Sequence, residues 1–189
     1  TWFSTLDNGL FYKSPSDIIK LNPRLNSASK NRVSELTIDE HENLWIGYSN
    51  SSFSIIDTSH NISCLNIGEH QFGNLKQIRN YRGKVYMMDG LRIYVSHRDP
   101  NKELGSYLAF PANDLVIDEQ GDYLLGGNNL WKGDSVAFNK NLGDINVRRP
   151  PNGDFKVLLD KRVNTFLKED NGNIWVGAIN GLYKYHGDT

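Results

Sequence analysis

Apolar residues in this chain come in short bursts, each closed by Asn, Asp or Gly. The stretch Asn164 to Tyr185, NTFLKEDNGNIWVGAINGLYKY, shows the pattern most clearly. Val163 and Phe166 lead in, and the turn Glu169-Asp170-Asn171-Gly172 follows. The run Ile174-Trp175-Val176-Gly177, a second turn at Asn180-Gly181 and the run Leu182 to Tyr185 complete it. Runs of four to six β-branched or aromatic residues between such turns predict strands joined by tight hairpins. Helix periodicity is nearly absent, and Ser14 to Lys20 reads as at most one helical turn.

The same text returns along the chain. Asp39 to Gly47 is a clear second copy, Asp118 to Gly126 a third with Leu124 at the Trp position, and Asn80 to Met87 a weaker fourth; Trp2 opens a partial one. The markers Trp2, Trp45, Tyr86, Leu124 and Trp175 lie 43, 41, 38 and 51 residues apart, and in the last four the acidic or Asn residue falls six before the marker. A period of roughly 40–50 residues with several strands per unit predicts propeller blades rather than helical repeats. Apolar pairs three apart, Val33/Leu36, Leu75/Ile78 and Val163/Phe166, anchor the first strand of a unit. The large marker residue fills the space between sheets. Gly47, Gly126 and Gly177 stand where a side chain would crowd a neighbour. One four-stranded blade cannot cover its own faces, so neighbouring blades must. The expectation is an all-β fold: a β-propeller segment of about four four-stranded blades plus an extra hairpin, one domain over 1–189. Its units are 1–30 (partial), 31–73, 74–111, 112–160 and 161–189 (partial). Both ends carry the same hairpin, which predicts an open arc of a larger ring, for example a seven-bladed one.

Asn-Leu-Trp-Ile-Gly over 43–47, Gly-Asn-Ile-Trp-Val-Gly over 172–177 and Gly-Leu-Tyr-x-Tyr over 181–185 resemble the two-component regulator propeller repeat. That resemblance implies the periplasmic sensor region of a hybrid histidine kinase of the Bacteroides type, anchored in the inner membrane, in signal transduction and carbohydrate sensing. The turn is also similar to the Asp-box of sialidases, but the Ser two residues before the Asp is missing.

Composition narrows the function classes. Net charge is -1, from 21 Lys and Arg against 22 Asp and Glu. Interspersed charge of this kind gives no footprint for nucleic acid or an anionic membrane. No apolar run approaches the ~18 residues of a membrane span. A single cysteine, Cys64, excludes an internal disulfide and a cysteine metal cluster, and its alternating surroundings predict a buried thiol. The five histidines lack metal spacing, and no nucleophile elbow, dinucleotide fingerprint or P-loop occurs, so neither cofactor nor metal is expected. Asp39, Asp118 and Glu169 head turns on one rim and read as turn caps.

Candidate binding residues gather on the opposite rim, where second-to-third turns and blade-to-blade crossovers meet. It brings Tyr48, Asn50, Asn129, Asn180, Arg148 and Arg149 forward, with Asp7, Asn8, Arg24, His70, Tyr107 and Asn128 around them. Amides, Tyr and Arg suit sugar hydroxyls and carboxylates. The leading expectation is a non-catalytic sensory segment responding to glycan-derived ligands such as oligosaccharides, and packing against neighbouring blades or domains of the parent chain or against itself. Two alternatives stand beside it: a glycan-active propeller enzyme using carboxylates such as Asp7 or Asp144, and a purely structural interaction fragment.

Overall fold

A computed structural model describes residues 2–5, 9–13, 18–21, 32–49, 53–65, 75–96, 107–142 and 154–187. Among the described residues, eighteen strands form five antiparallel sheets in chain order. The first holds β1 (Trp2–Thr5), β2 (Gly9–Lys13) and β3 (Ile18–Leu21). The second holds β4 (Val33–Ile38), β5 (Leu44–Tyr48), β6 (Phe53–Ile56) and β7 (Ile62–Leu65). The third holds β8 (Gln77–Tyr81), β9 (Lys84–Met88), β10 (Ile93–Val95) and β11 (Tyr107–Leu108). The fourth holds β12 (Ala112–Ile117), β13 (Tyr123–Gly127), β14 (Leu130–Gly133) and β15 (Lys156–Leu159). The fifth holds β16 (Val163–Lys168), β17 (Ile174–Ala178) and β18 (Gly181–Tyr185). Each sheet is a meander with neighbours in sequence paired in space. This is the architecture of a β-propeller segment. Among the described residues three sheets have four strands, and the first and fifth have three.

The sheets stack as the anchors and markers require. Trp45, Phe53 and Ile55 of the second sheet are buried against Leu75, Ile78, Val85, Met87 and Tyr94 of the third. Tyr86, Met88 and Ile93 of the third meet Leu115, Ile117, Tyr123 and Leu125 of the fourth. Val116, Leu124 and Leu130 of the fourth meet Val163, Phe166, Ile174 and Val176 of the fifth. Each interface thus sets the marker face of one sheet against the first-strand anchors of the next. Burying a large apolar side chain stabilises by roughly 1.5–3 kcal/mol, so these interfaces hold the segment together. Gly47 fits the scheme: a Cβ there would lie 1.9 Å from Leu75 Cδ2 and 2.9 Å from Ile78 Cδ1. On the fifth sheet the corresponding face is open. Leu167 is 65% exposed and Leu182 67%, and Lys184 lies over the Trp175 ring at 5.2 Å.

The spacing of six between acid and marker has a geometric cause. The acid heads the turn and the Trp lies two residues into the return strand, so the indole N–H comes back to the carboxylate. Trp45 Nε1 donates to Asp39 Oδ2 at 2.8 Å, and Trp175 Nε1 donates to Glu169 Oε1 at 2.7 Å. Asp39 Oδ1 also accepts from the His41 and Asn43 backbone N–H groups. Where Leu124 replaces Trp, Asp118 Oδ2 instead accepts from the Tyr185 hydroxyl of the fifth sheet, with Lys132 Nζ 3.7 Å away. Glu42 takes up a positive φ of 62° at the place held by Gly121 and Gly172 in the matching turns.

Three expectations are corrected. Residues 18–21, which overlap the end of the stretch Ser14 to Lys20 read as at most a helical turn, form β3. A helix the periodicity did not show, α1 (Ser135–Lys140), is capped by Asp134, which accepts from Ala137 N. At six residues it is too short to carry a periodic signal; it buries Ala137 and Phe138, the latter stacked on Tyr123 at 4.1 Å. Cys64 is exposed, because β7 is the outer edge strand of its sheet.

Candidate functional site

The first strands carry an irregularity that places side chains at the rim. Pairing skips one residue in three of them: between Val33 and Glu35, between Ala112 and Asp114, and between Val163 and Thr165. The skipped residues are Ser34, Asn113 and Asn164, each immediately after the first anchor. Lys76 occupies the same place after Leu75 in the third sheet, where its N–H donates to Met88 O at 2.7 Å. A bulge frees a residue from strict alternation and re-aims its side chain, and bulges recur beside binding sites. Here the re-aimed residues are all hydrophilic.

Lys76, Asn113 and Arg162, from three successive sheets, border one cleft of about 380 Å³. Asp89, Gly90 and Asn128 from second-to-third turns complete much of its wall. A smaller cleft of about 180 Å³ adjoins it, sharing Lys76, Asn113 and Arg162 and adding Gln77 and Asn164. Gly90, at a φ of +87°, leaves room for the Lys76 stem: a Cβ there would lie 3.2 Å from Lys76 Cε. Asn113 Nδ2 donates to Val163 O at 3.0 Å, which ties the fourth sheet to the fifth at the cleft floor. Asp89 Oδ1 accepts from the Leu91 and Arg92 backbone N–H groups, so this carboxylate shapes the turn. Lys76 and Arg162 are exposed and make no ion pair among the described residues.

Below the cleft, Asp114 is completely buried and ties three sheets together. Its two oxygens accept from Arg79 Nε and Nη2 of the third sheet at 2.9 and 2.8 Å. Oδ2 also accepts from Thr165 Oγ1 and Phe166 N of the fifth, at 3.0 and 2.8 Å, and Oδ1 from Leu115 N. Burial alone would lower the Arg79 guanidinium, but the hydrogen bonds and charge of Asp114 outweigh it, and its pKa is raised. Glu35 on β4 is raised by burial, against the lowering effect of Arg79. Asp114 thus fixes the strand on which Asn113 sits.

The residues anticipated from sequence fall out as follows. Asn128 lines the cleft. Asn129, one residue on, faces Asp160 Oδ1 and Asn128 O with one end of its amide; the amide orientation that satisfies both puts the nitrogen there, donating at 2.9 and 2.7 Å and bracing the turn. Asn180 is exposed in the turn before β18. Tyr48 is 2% exposed, its hydroxyl 3.4 Å from Ser54 Oγ; β5 runs through to this residue and its parity with Leu44 and Ile46 turns it into the core. That leaves it no surface for a ligand. Asn50, Arg148 and Arg149 lie outside the described residues, as do Asp7, Asn8, Arg24, His70 and Asp144; for Tyr107 only the backbone, in β11, is described. Sequence reasoning missed Lys76, Asn113, Asn164 and Arg162. Their signal was present: a hydrophilic residue directly after the first anchor of each unit, with Arg32 and Arg162 directly before it.

Fold and rim together define a propeller segment with a small-molecule-sized cleft near the entry of its first strands. No protein-family model matches the chain, and no curated protein matches it in sequence. Solved structures do match in fold. The extracellular domain assigned to a hybrid two component system of B. thetaiotaomicron is 16% identical at a TM-score of 0.60, covering 97% of this chain and 24% of that one. A second such domain from the same organism is 17% identical at 0.63, covering 95% and 25%. Virginiamycin B lyase from Staphylococcus aureus is 10% identical at 0.66, covering 95% and 63%. The chain therefore spans about a quarter of the length of the two-component extracellular domains it matches. Among the described residues no helix is long and apolar enough to cross a membrane.

Proposed function

We propose that this chain is a non-catalytic, ligand-recognising segment of an extracytoplasmic sensor, responding to a glycan-derived small molecule. The observation that carries the reading is the cleft on which Lys76, Asn113 and Arg162 converge from three sheets. Its volume lies in the range of roughly 300–1,000 Å³ typical of small-molecule sites. Its walls present amide donors and acceptors beside cations, a set that matches hydroxyl-rich ligands. The fold shared with two-component extracellular domains supports the sensory part and the compartment. Signalling would pass through sheet packing, since Asn113 and Asp114 join the cleft to the fourth-to-fifth sheet interface.

Calorimetric titration of the chain with a panel of neutral and acidic mono- and oligosaccharides tests the reading. The expected result is binding of at least one sugar, weakened roughly three- to tenfold by Asn164→Ala or Asn128→Ala, the effect of losing one hydrogen bond. Binding by no member of the panel, or binding indifferent to both substitutions, overturns it.

A further inference from the structure

Resting on that reading, we infer that the cleft selects a sugar acid, with the carboxylate held between Lys76 and Arg162 and the ring hydroxyls facing Asn113 and Asn128. Four observations lead there. First, the cleft and its smaller neighbour share three residues, and two of the three are cations brought in from non-adjacent sheets, the third and the fifth. Both are exposed and neither makes an ion pair among the described residues, so neither cation is engaged in holding the sheets together. Second, Gly90 keeps the turn beneath the Lys76 stem free of a side chain. Third, Asp89, the carboxylate in the cleft wall, has an oxygen committed to two backbone N–H groups of its own turn, which reduces its pull on the cations. Fourth, the amide between the cations, Asn113, commits one of its two N–H donors to Val163 O. Its carbonyl oxygen stays available to accept from a sugar hydroxyl and cannot donate to an anion. Among the residues lining the cleft the cations are Lys76 and Arg162, and charge-assisted bonds to a carboxylate are about twice as strong as neutral ones.

The test pairs D-galacturonate with D-galactose, which share every ring hydroxyl and differ at C6, in calorimetric titrations of the whole chain. The expected result is galacturonate binding at least tenfold tighter than galactose. Lys76→Met and Arg162→Met each weaken galacturonate about tenfold and galactose clearly less, so that the preference for the acid shrinks. Raising ionic strength from about 0.05 M to about 0.5 M weakens the acid alone, because the screening length shortens severalfold. Thermal midpoints of both variants match the parent, since both side chains lie on the surface. Equal affinity for the two sugars overturns the inference and leaves the sensory reading standing. Binding of neither sugar overturns the inference, while binding of another panel sugar would still uphold that reading. Loss of galacturonate binding that salt does not mimic assigns the two residues to shape rather than charge and also overturns it.

Discussion

Replacing Asp114 by Ala strikes the point where three sheets meet. The side chain is 0% exposed and accepts five hydrogen bonds: two from Arg79, one each from Thr165 Oγ1, Phe166 N and Leu115 N. Truncation leaves a half-buried guanidinium without its carboxylate and the buried Phe166 N–H without an acceptor. Removing one member of a buried ion pair costs about 3–5 kcal/mol. An orphaned N–H adds to this, but relaxation of the partly exposed Arg79 toward water offsets part of the total, so about 4 kcal/mol is the expected loss. Against a typical stability of about 5–15 kcal/mol this brings the chain close to unfolding. Asp114→Asn, which keeps one acceptor oxygen, should lose less than the Ala variant. Urea unfolding of the parent, Asp114→Ala, Arg79→Met and the double variant measures it. The pairwise coupling should exceed about 1.5 kcal/mol. A loss below about 1 kcal/mol for Asp114→Ala, or additive single effects, would refute the view that this carboxylate bolts the sheets together.

Other expectations follow from the same packing. Gly47→Ala should destabilise by about 1–3 kcal/mol, because the new methyl meets Leu75 and Ile78 of the next sheet. Gly177→Ala should cost clearly less, since its nearest neighbour is Thr165 Cγ2 of its own sheet at 3.1 Å; equal costs in urea unfolding would contradict radial stacking. Asp39 and Glu169 both sit below their ordinary values of 3.8 and 4.5. For Asp39 burial acts upward, but bonds from the Trp45 indole and Asn43 outweigh it; for Glu169 the Trp175 indole bond is the largest cause. Because the folded values are depressed, this stabilisation is present above the ordinary values and lost as pH falls through the folded ones. The thermal midpoint and Trp fluorescence should therefore drop as pH falls below about 4.5, and Asp39→Asn with Glu169→Gln should flatten that dependence; an unchanged slope would refute it. Lys substitutions at Leu167 and Leu182, on the open face of the fifth sheet, should reduce concentration-dependent self-association in sedimentation velocity, and an unchanged profile would contradict this.

The sheet architecture was legible because its cause is periodic. The acid at six before the marker answers a contact that recurs within a hairpin, and the anchors three apart and the Gly two after the marker answer contacts between sheets. Trp45 with Asp39 and Trp175 with Glu169 show why that spacing persists: the indole N–H must find its acceptor across the hairpin. Asn128, gathered with the rim residues from sequence, lines the cleft. Individual residues were harder, because turn composition does not say how far a strand continues. Tyr48 was taken for rim when β5 carries it inward. The bulge residues Ser34, Asn113 and Asn164 escaped notice because alternation, the pattern used to find strands, is the rule a bulge breaks, and Lys76, which precedes β8, lies outside the alternating run. The helix α1 rests on one cap and two buried residues, too little for periodicity to register.

Amide chemical-shift mapping of the chain titrated with D-galacturonate tests the placement of the site most directly. The account predicts shifts concentrated at residues 76–77, 89–91, 113, 128 and 162–164, on the rim formed by the bulged strand entries. Shifts centred on the opposite rim, at the turns of Asp39, Asp118 and Glu169, would contradict it.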